Sequence, residues 1–101
     1  VADQEDQGQA VQVVDEPGRH RYEAHLGDRR VGLLVYRRHP DAVDLQHTEV
    51  DASAQGHGVA GALVARALAD ARSAGISVIP TCPYVAAYLR RHPEEADLVA
   101  D

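Results

Sequence analysis

Polar and apolar positions alternate with period two through the first half of the chain and recur every three to four residues through much of the second. From His20 to Leu26, Tyr22, Ala24 and Leu26 alternate with Arg21, Glu23 and His25, the pattern of a half-buried strand. Arg30 to Arg37 places Val31, Leu33 and Val35 on one face with Leu34 and Tyr36 on the other. Both faces then have something to cover, and a central strand is predicted. Ala42 to Val50 resumes strand character, with Val43, Leu45 and His47 on one side and Gln46, Thr48 and Val50 on the other. A Val-rich segment from Ala10 to Asp15, ending at the turn signal Glu16-Pro17-Gly18, predicts a first strand, and Gly27-Asp28 a turn between the next two.

At Gly58 the period changes. Val59, Leu63, Val64, Ala67, Leu68 and Ala71 form one stripe of a helix, with Arg66, Asp70 and Arg72 outside it and Gly75 at the expected stop. Ser77 to Pro80, led by Ile76, predicts a short strand parallel to the one before the helix. Pro83 suits the first turn of a second helix whose buried stripe is Val85, Tyr88 and Leu89 and which ends before His92-Pro93. Asp97 to Asp101 reads as a short tail, and the polar, acidic stretch Val1 to Gln9 as a disordered one. Residues 10–101 are thus expected to form a single minimal domain.

Composition narrows the function classes. Ten basic and sixteen acidic side chains leave a net charge of −6, which disfavours nucleic acid because phosphate neutralisation needs a basic face. One cysteine excludes an internal disulfide and a Cys-x-x-Cys zinc site and fits a reducing compartment. No apolar run approaches the roughly 20 residues of a membrane helix, and the first nine residues lack the basic and apolar stretches of a secretory leader. A cytoplasmic location with no membrane partner is the expectation. His20, His25, His39 and His92 have neither the paired spacing nor the cysteine companion of a metal site, so no metal is predicted.

The segment Gly56-His57-Gly58-Val59-Ala60-Gly61 fits the dinucleotide-binding fingerprint by letter. Its context does not fit: Asp51 to Gln55 separate it from the strand, Pro80 and Thr81 stand where an acidic residue belongs, and the chain is short for several parallel strands. Read as Gln55-x-x-Gly58-x-Ala60, it puts small residues at the first turn of a long helix. There unpaired amides and the helix dipole suit a pyrophosphate without any cluster of lysines. The plainer alternative is that the glycines only end a strand and start a helix.

Three motifs stand in order: His47-Thr48-Glu49-Val50, then Gln55-Gly56-His57-Gly58-Val59-Ala60, then Ile79-Pro80-Thr81-Cys82-Pro83-Tyr84-Val85. With the strand Val31 to Tyr36 they make about three-quarters of the chain resemble the GNAT superfamily of N-acetyltransferases, and most closely its very small single-domain members. The resemblance implies an α/β fold: a mixed, mainly antiparallel sheet of about five strands, a long coenzyme-binding helix and a shorter C-terminal helix. It implies acetyl-CoA as the donor, bound through Thr48, Glu49, Val50, Gln55, Gly56, His57, Gly58, Val59, Ala60 and Tyr84, and an unidentified amine as acceptor. Larger members carry an asparagine near the position of Cys82, a tyrosine in the middle of the last helix, and N-terminal helices that wall the acceptor site. This chain has Tyr84 and Tyr88 near that tyrosine but out of register, and no such helices.

Acetyl transfer to an amine needs a deprotonated nucleophile and donors for a developing oxyanion. Backbone amides near Val50 are candidates for the donors. Cys82 follows a strand and precedes a helix, where helix amides lower a thiol pKa, so it is a candidate to accept the acetyl group; packing or lining of the pantetheine channel are the alternatives. His47, before the glycine loop and titrating near neutrality, is the candidate base, against the alternative of a core histidine. A coenzyme-binding module without acceptor turnover is the competing reading of the whole chain. Oligomeric state stays open, since an exposed sheet edge can pair with a copy or be covered.

Overall fold

The period-two segments pair in chain order into one five-stranded sheet, β1-β2-β3-β4-β5, in the computed structural model, which describes residues 10–100. The expected tail at Val1 to Gln9 lies outside the described residues, as does Asp101. Strands β1 (Gln12–Glu16), β2 (Arg21–Leu26), β3 (Arg29–Arg38) and β4 (Ala42–Val50) are antiparallel neighbours, and β5 (Ser77–Ile79) lies parallel to β4. Helix α1 (Val59–Ala74) makes the crossover between β4 and β5, and α2 (Pro83–Arg91) follows β5. The expected central strand is β3, and the fold is the predicted α/β arrangement with a mostly antiparallel mixed sheet. Among the described residues no helix is long and apolar enough to cross a membrane.

Helix α1 buries Val59, Leu63, Val64, Ala67, Leu68 and Ala71, the stripe its periodicity predicts. They join one core with Tyr22, Ala24 and Leu26 of β2, Leu34 and Tyr36 of β3, and Val43 and Leu45 of β4. Full burial stabilises a Leu or Val by about 1.5–3 kcal/mol, so Leu63, Val64 and Leu68 together contribute an amount comparable to the net stability of a small domain. The first turn of α1 can lie this close to the sheet only because residue 32 is glycine. A Cβ there would stand 2.8 Å from Val59 Cγ1 and 3.0 Å from the Glu49 carbonyl oxygen.

Two β-bulges change which side chains share a face. The register between β3 and β4 slips between Val35 and Tyr36: Val35 faces His47 while Tyr36 faces Leu45, leaving Gln46 as the extra residue on β4. Strict alternation places His47 with Val43 and Leu45, whereas the bulge turns Thr48 and Val50 to that face and sends His47 and Glu49 to the other. The slip between β2 and β3 leaves Val31 without a partner on β2, and Val31 is fully buried while Leu33 and Val35 are only half-buried.

A second correction concerns the C-terminus. Pro93–Leu98 is a 3-10 turn with Leu98 buried, Val99 makes a parallel bridge to Val78, and the Ala100 N–H donates to the Val78 carbonyl at 2.9 Å. Arg72 of α1 holds Glu95 at 2.8 Å and Asp97 at 2.9 Å. Leu98 and Val99 supply the apolar contact that docks residues 97–100, where the sequence predicts a short tail.

Candidate active site

β4 and β5 stay together for only three residue pairs, Ala42–Ser77, Val43–Val78 and Asp44–Ile79. Pro80 then offers no N–H to continue the ladder, and the Cys82 N–H closes it by donating to the Leu45 carbonyl at 2.9 Å. Beyond that bond β4 continues to Val50 while the other chain turns into α2, so the sheet opens in a wedge.

The start of α1 lies against this wedge. Gly58 caps the helix with φ 75°, Gly56 precedes it with φ 89°, and no side chain caps the first-turn amides. Left-handed backbone at both positions favours glycine, which keeps the loop clear of side chains. The result is a cleft of about 330 Å³ whose walls include Val50, Ala54, Gln55, the glycines and Tyr84. Tyr84 Oη stands across it from the second helical residue beyond Val59, 3.8 Å from where a Cβ on Gly61 would lie.

Behind Tyr84, in the wedge itself, is Cys82. It is buried, stands at the N-cap of α2, and its Sγ lies 3.4 Å from Thr48 Oγ1. Burial alone would raise the thiol pKa. The Thr48 hydroxyl and the backbone amides of Val85, Tyr84 and Thr48, all directed at the sulfur, outweigh it and hold the thiol below its ordinary value. The lowering thus comes from the dipoles of one hydroxyl and three backbone amides.

His47 is elsewhere. The bulge puts it on the opposite face of the sheet, where Nε2–H donates to Glu49 Oε2 at 2.8 Å and both side chains are more than half exposed. This overturns its expected place at the end of an apolar face, and with it the core-histidine alternative. His47 and Cys82 still flank one residue: Thr48 follows His47 in the chain and reaches the sulfur from the core side.

The sequence profile of the GCN5-related N-acetyl-transferase family matches residues 21–98, a span that contains all three motifs and the wedge they build. The chain belongs to that family. Among solved structures, the solution structure of a "GCN5-like putative N-acetyltransferase" from Staphylococcus aureus has the same fold, with a TM-score of 0.65 over 90% of this chain and 89% of that one at 16% identity. No curated protein matches the sequence significantly. This GCN5-related acetyltransferase is accordingly an acyltransferase whose general activity is acetyl transfer.

Of the residues the sequence singled out, Val50, Gln55, Gly56, Gly58, Val59, Ala60 and Tyr84 line the cleft together. Thr48 joins Cys82 behind it. Exposed His57 is not among the lining residues, and Glu49 faces away with His47. Two further residues, Ala54 and Gly61, line the cleft. Ala54, fully buried beneath the loop, carries no sequence signal beyond its small size, whereas Gly61 is legible as the last glycine of the loop.

Proposed function

We propose that this acyltransferase uses acetyl-CoA to acetylate an amine, that Cys82 takes the acetyl group first, and that His47 receives the amine's proton. The supporting observation is one place where three features meet: an uncapped helix start, an open edge of β4, and a buried thiol whose pKa is lowered by amides. The residues present fit the coenzyme. The first-turn amides of α1, the missing side-chain cap and the bare glycines suit a pyrophosphate, and Val50, Val59 and Tyr84 suit the apolar stem that follows it.

Acetyl-CoA supplies an activated acetyl group as a thioester. The Cys82 thiolate forms a bond to the acetyl carbon as the carbon–sulfur bond to CoA breaks, and CoA leaves as a thiolate that takes up a proton from solvent. The amine then forms its bond to the same carbon, Cys82 departs as thiolate, and the proton lost by the amine passes by way of solvent to His47, which is exposed on the opposite face of the sheet. The amides of Thr48, Tyr84 and Val85 that point at the sulfur stabilise Cys82 as the thiolate that attacks and, later, as the thiolate that departs. Glu49, holding Nε2–H of His47, leaves Nδ1 as the free nitrogen. The net charge of −6 favours a cationic acceptor.

Intact-protein mass spectrometry after incubation with acetyl-CoA and no acceptor tests the covalent step. The expected result is a single acetyl adduct on the wild type, labile to hydroxylamine and absent from Cys82→Ala. Transfer to an added amine by Cys82→Ala at the wild-type rate would overturn it in favour of direct transfer, and coenzyme binding with neither adduct nor product in the wild type would leave a binding module.

A further inference from the structure

A second cavity, of about 370 Å³, lies at the other end of α1, between Asp70, Ala71 and Ala74 of the helix and Asp15, Tyr22 and Tyr36 of the strands. The two cavities' nearest lining residues on the helix, Gly61 of the coenzyme cleft and Ala67 of this cavity, are six residues apart, about 9 Å at 1.5 Å per residue, and no residue lines both. The acetyl-transfer chemistry uses none of these side chains.

The walls repeat one arrangement twice. Tyr22 Oη donates to Asp70 Oδ2 at 2.8 Å, and Tyr36 Oη donates to Asp15 Oδ1 at 2.7 Å. The two rings are neighbours, with centroids 5.3 Å apart. Burial first, and then the carboxylate that accepts from each hydroxyl, pushes both phenols far above the ordinary tyrosine range, so both stay neutral donors.

The first of these pairs already holds a cation. The Arg66 guanidinium carbon stands 5.8 Å from the Tyr22 ring centroid, Nε donates to Asp70 Oδ2 at 3.1 Å, and Nη1 donates to the Val13 carbonyl at 2.7 Å. The second does not. Among the described residues no Lys, Arg or His pairs with Asp15: Arg38, which lines the cavity together with His20, directs its guanidinium at the carbonyls of His39 and Ala42. A carboxylate with one hydrogen bond keeps acceptor capacity on its other oxygen, and a phenol ring beside it adds attraction for positive charge.

We propose that this cavity is a binding site for a small organic ammonium ion, seated between Asp15 and Tyr36 with its aliphatic body over Ala71, Ala74 and Ile76. The ammonium group completes at Tyr36 and Asp15 what Arg66 completes at Tyr22 and Asp70. Because Asp15 is on the edge strand β1 and Ala71 on α1, the bound cation ties that edge to the helix that carries the coenzyme loop. The site stands independently of the acetyltransferase chemistry.

The protein has four tyrosines and no tryptophan, so its intrinsic fluorescence sums Tyr22 and Tyr36 with Tyr84 and Tyr88, and the responses of Asp15→Asn and Gly58→Val assign a change to the cavity. Titration with n-butylammonium chloride, in the absence of acetyl-CoA, is expected to give a saturable change that n-butanol and sodium butyrate do not reproduce. Asp15→Asn keeps the side-chain shape and is expected to weaken binding by about tenfold or more. Circular dichroism confirms that Asp15→Asn and Gly58→Val are both folded, and Gly58→Val, which disturbs the coenzyme loop, is expected to bind the amine like the wild type. Equal binding of butanol, undiminished binding by folded Asp15→Asn, or no saturable change in the wild type would each overturn the proposal. Loss of binding in Gly58→Val would overturn it too, by placing the amine at the coenzyme cleft.

Discussion

Replacing Gly32 by alanine tests the close approach on which both the core and the cleft depend. The added methyl would stand 2.8 Å from Val59 Cγ1, 3.0 Å from the Glu49 carbonyl oxygen and 3.4 Å from Leu63 Cδ1. Val59 and Leu63 are side chains with some freedom to turn. The Glu49 carbonyl is backbone, on the strand β4 where Glu49 pairs with Leu33, and can retreat only by disturbing the β3–β4 ladder. Alanine should gain about 0.5–1 kcal/mol over glycine from its lower backbone entropy in the unfolded chain. Overpacking of a filled site costs about 1–3 kcal/mol, and the backbone contact places this site in the upper half of that range. The net expectation is a loss of about 1–2 kcal/mol, or roughly 4–16 °C in Tm for a domain of this size. Urea unfolding should show a lower midpoint at an unchanged slope, with Gly18→Ala, where a Cβ meets nothing within 4 Å, as the neutral control. The displaced start of α1 should also weaken CoA binding. A Gly32→Ala midpoint equal to or above the wild type would refute the claim that the helix rests on this glycine.

Further outcomes follow from other contacts. Gly61→Ala should stabilise the first turns of α1 by about 0.5–1 kcal/mol while weakening CoA, because its methyl enters the cleft toward Tyr84; tighter CoA binding would contradict that placement. Thr48→Val removes a hydroxyl that favours the Cys82 thiolate, so the pH profile of iodoacetamide alkylation, measured in urea-free buffer, should move to higher pH. Tyr22 and Tyr36 have raised folded-state pKa values, so their contribution to stability is complete below the unfolded tyrosine value of about 10 and is lost as pH rises beyond it. Alkaline unfolding curves of Tyr22→Phe should therefore fall less steeply above about pH 10 than those of the wild type. Leu98→Ala should cost about 2–3 kcal/mol, seen in thermal unfolding, which a free tail would not.

Most of the elements were legible because each has one dominant period. The stripe from Val59 to Ala71 can be buried by a helix and by nothing else, and Tyr22, Ala24 and Leu26 share a face in any strand. What alternation cannot carry is an inserted residue. Gln46 looks like any polar position in a strand, yet as a bulge it exchanges the faces of everything after it, and so moves His47 to solvent and Thr48 to the sulfur. The C-terminal segment was misread for another reason: Leu98 and Val99 are too few to show a period, and their burial depends on Val78 and α2, which only the tertiary fold brings near. The cleft was legible in its glycines, because left-handed backbone and small size leave a mark in sequence. Ala54 was not, since its role is only to be small beneath the loop.

Backbone NMR during titration with CoA tests most directly whether the wedge and the start of α1 form the coenzyme site. Saturable shifts are expected at Gly56, Gly58, Val59, Ala60 and Gly61, at Thr48 and Val50 of β4, and at Tyr84. Shifts confined to the Tyr22 and Tyr36 cavity, or no saturable shift at the glycine loop, would contradict that placement.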